Sequence, residues 1–272
     1  MNSLLQELKR VELDILARFI QVCQQLDLRY YILQGTLLGA VRHQGFIPWD
    51  DDIDVGMPRA DYEIFLREGQ KLLGEPYFVQ TFLTDPPFTA NFAKIRNSNT
   101  TFVETSLRGR VMNHGVYMDI FPLDFYPDDP RTEKNLRRKN WFLNGRITAT
   151  FYFSEKLPLK SRVKHIACTI LHPSVEKALQ ARDALFRSVT AGSRIANHCS
   201  PWRSREIVPA EWYGEGCELE FEGLKVRAPK EYDKWLTQVY GDYMQLPPPE
   251  KRKGHHYYDV IDLEKPYTEY IK

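Results

Sequence analysis

Apolar side chains recur at Leu4, Leu8, Val11, Ile15, Phe19, Val22 and Leu26. Steps of three and four residues place them on one stripe of a long amphipathic helix. Residues 30–33, Tyr-Tyr-Ile-Leu, are β-prone and short, so a buried strand running into Gly35 is expected. Residues 37–43 follow as a short helix that stops at Gln44-Gly45. Residues 49–55 read as a second strand. Pro58 opens another helix, with Tyr62, Phe65, Leu66 and Leu72 on its apolar side and Gly74 as its end. Strand-like runs then follow at 77–82, 92–96, 101–104 and 116–121, separated by turns at Pro86-Pro87 and Asn97-Ser98-Asn99.

The pattern changes after Pro127-Asp128-Asp129-Pro130. Residues 131–200 are rich in Lys, Arg and helix formers. Strand signals return at 218–226, a helix is expected from Pro229 to Tyr240 with Gly241 as its stop, and Pro247-Pro248-Pro249 imposes an extended segment. Helices that alternate with strands and then give way to a β-rich stretch favour an α+β fold with a mixed sheet. Three parts are expected: a core at 1–130, a helical insert at 131–205, and a C-terminal segment at 206–272 that packs back on the core.

Composition narrows the classes. The chain has 272 residues, 43% of them hydrophobic and 13% aromatic, enough for a sizeable core. A net charge of +1 gives no bulk attraction to nucleic acid. Cys23, Cys168, Cys199 and Cys217 form no C-x-x-C pair, so neither a zinc knuckle nor a redox motif is expected, and the thiols are read as reduced. The N-terminus has no secretory pattern, and no apolar run approaches the roughly 20 residues that span a bilayer. A cytoplasmic protein is expected.

The chemistry concentrates in residues 34–56. Asp50, Asp51, Asp52 and Asp54 crowd four acids into five positions. Their mutual repulsion is relieved most simply by a bound cation. On a strand, Asp52 and Asp54 share a face, and Asp50 joins them if the strand starts early. That arrangement suits carboxylates that hold Mg2+ or Mn2+ against a phosphate-bearing substrate. An EF-hand loop is the alternative, but Ile53 and Val55 belong to a strand; a solvated acidic turn is another. Gln34, Gly35 and Thr36 precede a helix and form a candidate phosphate cradle or an ordinary cap. Arg42 and His43 close that helix, either as phosphate ligands or as counter-charges to the aspartates. Asp119, between Met118 and Ile120, is costly to bury without a partner and is the candidate third carboxylate, as ligand or base; pairing with a buried Arg or Lys is the alternative. Asp124 reads as a turn or helix cap. Lys94 and Arg96 share a strand face and are candidates for a diphosphate, or for a solvated sheet face. Of His255 and His256, at most one should face the site; His256 is the candidate.

Residues 35–43, Gly-Thr-Leu-Leu-Gly-Ala-Val-Arg-His, followed by residues 47–56, Ile-Pro-Trp-Asp-Asp-Asp-Ile-Asp-Val-Gly, resemble the LicD family. Further similarities are Phe92 to Arg96, Met118 to Asp124, the Tyr240-Gly241-Asp242-Tyr243 segment, and the Pro-Pro and His-His tail. The resemblance implies a nucleotidyltransferase-like fold and transfer of phosphocholine, or another alcohol phosphate, from a CDP-alcohol to a sugar hydroxyl of a teichoic acid or lipopolysaccharide precursor. It implies metal ligation by Asp50, Asp52 and Asp54, and catalytic roles for Asp52, Asp54 and Asp119. The open alternatives are nucleotidyl transfer at the α-phosphorus and an inactive binding protein on the same fold. A choline donor needs aromatic faces, for which Trp49, Tyr31, Phe151, Tyr152, Trp202, Trp212, Tyr257 and Tyr258 are candidates. Residues 160–171 interleave Lys160, Arg162, Lys164 and His165 with apolar residues, so either membrane contact on the inner face or ordinary packing is expected there.

Overall fold

The computed structural model describes residues 3–150, 159–171, 174–254 and 256–271. The elements run α1 (Ser3–Gln25), β1 (Tyr31–Ile32), α2 (Gln34–His43), β2 (Asp54–Pro58), α3 (Arg59–Leu73), β3 (Tyr77–Gln80), β4 (Ala93–Asn97), β5 (Thr101–Glu104) and β6 (Val116–Tyr126). They continue as α4 (Pro130–Thr148), α5 (Leu159–Leu171), α6 (Val175–Arg187), β7 (Arg194–Ala196), β8 (Ile207–Pro209), β9 (Cys217–Phe221), β10 (Leu224–Ala228), α7 (Tyr232–Tyr240) and β11 (Tyr258–Asp262). The fold is α+β.

A seven-stranded sheet organises the molecule, in the order β1-β2-β6-β4-β3, with β7 on the C-terminal end of β6 and β8 beyond it. The pair β2–β6 is parallel; β4–β6 and β3–β4 are antiparallel. Strand alternation sends Val55, Met57, Ile95, Met118 and Ile120 into one core with Ile15 and Phe19 of α1 and Phe65 of α3. The other face carries a polar row. Asp54, Asp119 and Lys94 are register partners on three adjacent strands.

The helical stripe from Leu4 to Leu26 forms α1 as expected, and α3 ends at Gly74, whose φ of 67° only glycine adopts readily. Several strand boundaries differ, and one expected strand is a hairpin. Residues 49–53 are loop, and β2 begins only at Asp54. Ile53 is nonetheless fully buried, so its apolar character came from packing, not from a strand. The 218–226 run is a β9–β10 hairpin, turned at Glu222-Gly223, both at positive φ. Pro130 sits in the first turn of α4, where its missing N–H costs nothing, and the Asp129 side chain caps that turn by accepting from Thr132 N–H.

The helix α4 packs against both α5 and α6. A charged clamp ties them to the sheet. Arg59, at the start of α3, donates to both oxygens of Asp124 on β6, each at 2.7 Å, and to Asp183 of α6 at 3.0 Å. Asp124 is thus a buried strand residue, not a turn or cap. Its partner lies 65 residues away in sequence, which no local pattern reveals.

Candidate active site

Loop 46–53, α2 and the polar face of the sheet form one wall of a cavity of about 730 Å3. Gln34, Gly35, Arg42, Asp50, Asp52, Asp54, Asp119 and His256 line it. Trp49, Phe92, Phe121, Trp202, Tyr240 and Tyr243 add aromatic rings to the same lining.

Each acid is placed by a specific contact. The Thr36 hydroxyl accepts from the Asp54 backbone N–H at 2.8 Å, so the first turn of α2 fixes the first residue of β2. Thr36 itself is buried and does not line the cavity; it positions Asp54 instead of cradling phosphate. Gly35 is required by a close approach: a Cβ there would lie 2.4 Å from Oδ2 of Asp50. The Gly-Thr pair lies within the first turn of α2, not ahead of it, and Gln34 takes a φ of 48° to start that turn. Buried Lys9 of α1 donates to the carbonyls of Ile47 and Pro48 at 2.9 and 3.2 Å, anchoring the acidic loop from beneath.

Crowding and burial hold the acids in an unusual state. Burial pushes Asp50 up to about 8, with the charges of Asp52 and Asp51 adding to it. Burial, then Asp52 and Asp119, raise Asp54 well above the ordinary carboxylate range. Burial raises Asp119, opposed by the Lys94 ammonium 2.8 Å from its Oδ1. Glu12 of α1, fully buried behind the loop, is raised by burial and by Asp52, Asp51 and Asp50. A set of buried carboxylates that suppress one another's ionisation marks a place where positive charge is wanted.

The C-terminal segment supplies some of it. Nδ1 of His256 lies 3.1 Å from Oδ1 of Asp51, and its Nε2 lies 3.9 Å from Oδ2 of Asp52. Burial alone would push this imidazole down, but the hydrogen bond to Asp51 and the charges of Asp52 and Asp51 outweigh it and hold it at about 9. Ligand atoms of Asp51, Asp52 and His256 all lie within 4.8 Å of one another. With Asp50 and Asp54 beside them, the donor set is dominated by hard oxygens, which fits Mg2+ or Mn2+. Asp51 was the acid of the run that sequence reasoning left without a role. Its partner is 205 residues away.

Several expected ligands stand elsewhere. Arg96 is fully buried: it donates to Gln80 at 2.6 Å, to the Gly115 carbonyl at 2.7 Å and to Glu104 at 3.3 Å. It therefore holds strands together and does not reach a diphosphate in the cavity. Lys94 is also buried, against Asp119 and over the Tyr117 ring. His43 accepts from Arg42 Nε at 3.0 Å and stays outside the cavity lining, while Arg42 also donates to the Tyr243 carbonyl at 2.9 Å. His255, Phe151 and Tyr152 lie outside the described residues. Cys23, Cys199 and Cys217 are not joined in disulfides.

A second cavity, about 660 Å3, opens between α4, α6 and loop 197–204. Cys199 borders both cavities. Arg182 of α6 shapes this wall, donating to Asn140 of α4, to Asn91 and to the His198 carbonyl at 2.9–3.0 Å.

Comparison with known proteins places this geometry. Residues 27–165 match the family model described as LicD/FKTN/FKRP, nucleotidyltransferase domain. The chain is 32% identical to the lipopolysaccharide cholinephosphotransferase LicD of Haemophilus influenzae, over 95% of this chain and 98% of that protein. It is 37% identical to the uncharacterized protein RP689 of Rickettsia prowazekii over 38% of this chain and 35% of that one. A match to RT0683 of Rickettsia typhi reaches 60% identity across 35 residues, 13% of this chain and 11% of that one.

Proposed function

The chain belongs to the LicD family, and from that premise we propose that it transfers phosphocholine, or a related alcohol phosphate, from a CDP-alcohol to a sugar hydroxyl of a cell-surface glycan such as lipopolysaccharide. The supporting observation is a single cavity lined both by the acids Asp50, Asp52, Asp54 and Asp119 and by aromatic rings. The acids suit a cation-bound pyrophosphate, and the ring faces suit a quaternary ammonium. The name of the Haemophilus relative, a cholinephosphotransferase, agrees with that combination.

Asp50, Asp52 and Asp54, with Asp51 and His256 beside them, would hold Mg2+ or Mn2+. When bound, such an ion supplies charge neutralisation for the pyrophosphate and for departing CMP. The chain's own residues do the rest. Arg42, on the cavity wall, is placed for the phosphates. Trp202 and Tyr240 stand edge to face with centroids 4.9 Å apart and offer a surface for the trimethylammonium head. Asp119 accepts the proton of the attacking hydroxyl. Burial makes it a stronger base than an ordinary carboxylate, while the Lys94 ammonium opposes that rise. The hydroxyl oxygen bonds to the distal phosphorus, the bond from that phosphorus to the bridging oxygen breaks, and CMP leaves with that oxygen. The second cavity, which shares Cys199 with the first, would take the glycan.

Product analysis tests the reading. With CDP-choline, Mg2+ and lipopolysaccharide, CMP release and a phosphocholine-bearing glycan are expected. Pyrophosphate release from CTP in its place would reassign the reaction to nucleotidyl transfer. No metal-dependent turnover across CDP-choline, CDP-ribitol, CDP-glycerol and CDP-ethanolamine would leave a binding protein.

A further inference from the structure

Charge is distributed very unevenly along this chain. Residues 131–171 contain ten Lys and Arg against two acidic residues, a net charge of +8 in a chain whose total is +1. The remaining residues are therefore net acidic. The basic stretch covers α4 and α5, and α4 alone exposes Arg131, Lys134, Arg137, Arg138 and Lys139.

Beside this charge lies an exposed apolar face. Val163, Ile166, Ile170 and Leu171 of α5 are 58, 62, 75 and 60% exposed. At 100° per residue, Val163, Ile166 and Ile170 fall within about 60° of one another, and Leu171 adjoins them. Cys168, on another side of the helix, is fully buried, and α5 packs on α4. The helix contains no acidic residue; Arg162 and Lys164 occupy register positions that flank the stripe, and Lys160 falls between those of Val163 and Leu171. Four branched or aliphatic side chains left in water on one short helix are unfavourable unless something apolar covers them.

We infer that α5, with the basic surface of α4, docks on an anionic phospholipid bilayer. The apolar stripe enters the interfacial region and the cations meet the headgroups. Among the described residues no helix is long and apolar enough to cross a membrane, and the 13 residues of α5 span roughly 20 Å, short of the roughly 30 Å hydrocarbon core. The helix thus lies in the surface plane. Charge complementarity selects an anionic bilayer over a second copy of this chain, since two such basic faces would repel. The inference goes beyond the transfer reaction and does not depend on the donor. It does give the helical lobe a purpose: the second cavity, which α4 and α6 border, would be held near the membrane, where a lipid-linked glycan is presented.

Vesicle co-sedimentation tests it. The intact protein should pellet with phosphatidylglycerol-containing vesicles and not with pure phosphatidylcholine vesicles, and raised salt should release it. Ile166→Asp with Ile170→Asp should lower vesicle binding at least tenfold. Lys160→Glu with Lys164→Glu should remove the salt-sensitive part. Circular dichroism and CMP release with a detergent-free soluble acceptor should be unchanged in both, which separates loss of docking from misfolding and from failure of the transfer reading. Equal binding to both vesicle types, or none to either, overturns the proposal. So does a wild-type dimer in light scattering that Ile166→Asp dissociates, which would assign the face to a second copy.

Discussion

Lys94 and Asp119 are register partners on β4 and β6, and Nζ of the one stands 2.8 Å from Oδ1 of the other. Asp54 sits on the other side of Asp119 in the same cross-strand row. One carboxylate therefore lies between a like charge and an opposite one. Burial raises its proton affinity and the Lys94 ammonium lowers it. Replacing Lys94 by Met removes the opposing ammonium, so Asp119 should ionise only at higher pH. The acid limb of the kcat/KM profile should move upward, activity at pH 7 should fall about tenfold or more, and part of it should return in alkaline buffer. An acid limb that stays in place would remove Asp119 as the base.

Asp54→Asn tests the cation. The variant should lose turnover by about 100- to 1,000-fold and keep its circular dichroism spectrum. Without added metal its Tm should equal or exceed that of the parent, because one member of a repelling buried cluster is gone. Mg2+ or Mn2+ should raise the Tm of the parent, by the linkage of binding to folding, and should have little effect on the variant. An undiminished metal shift in Asp54→Asn would place the ion elsewhere.

Trp202→Ala probes donor choice. If the Trp202–Tyr240 pair holds a quaternary ammonium, KM for CDP-choline should rise about 5- to 30-fold, equivalent to about 1–2 kcal/mol. KM for CDP-glycerol should hardly change. Equal losses for the two donors would mean that the indole only shapes the wall.

Arg59→Met tests the clamp. Asp124 is almost fully buried and would be left without its bidentate partner, and Asp183 would lose a 3.0 Å contact. Breaking such a pair from one side costs about 3–5 kcal/mol, read as a lowered urea midpoint. A double variant with Asp124→Leu should recover part of that loss, since no lone carboxylate then remains in the core.

Much of the scaffold was legible because it is periodic. The stripe of α1, the helix between Pro58 and Gly74, and the strand 101–104 follow from side-chain spacing alone. The acidic run was legible as chemistry but not as geometry. Its strand begins at Asp54, because Ile53 is buried from a loop and imitates strand alternation. Lys94 and Arg96 alternate correctly, yet one neutralises Asp119 while the other is sealed between Gln80, Gly115 and Glu104. Alternation gives the face of a strand and says nothing about what covers it. The pairings of Asp51 with His256 and of Asp124 with Arg59 were illegible for a simpler reason: each joins distant parts of the chain, and only the tertiary fold brings them together.

The His256–Asp51 contact has a consequence for biosynthesis. The aspartates emerge from the ribosome early, but their imidazole counter-charge follows 205 residues later, roughly 10–40 s at ordinary translation rates. Until then β11 has not paired with β5 and the cavity lacks one side. A nascent polypeptide thus carries the acidic cluster without its closing cation until the segment around His256 has been made.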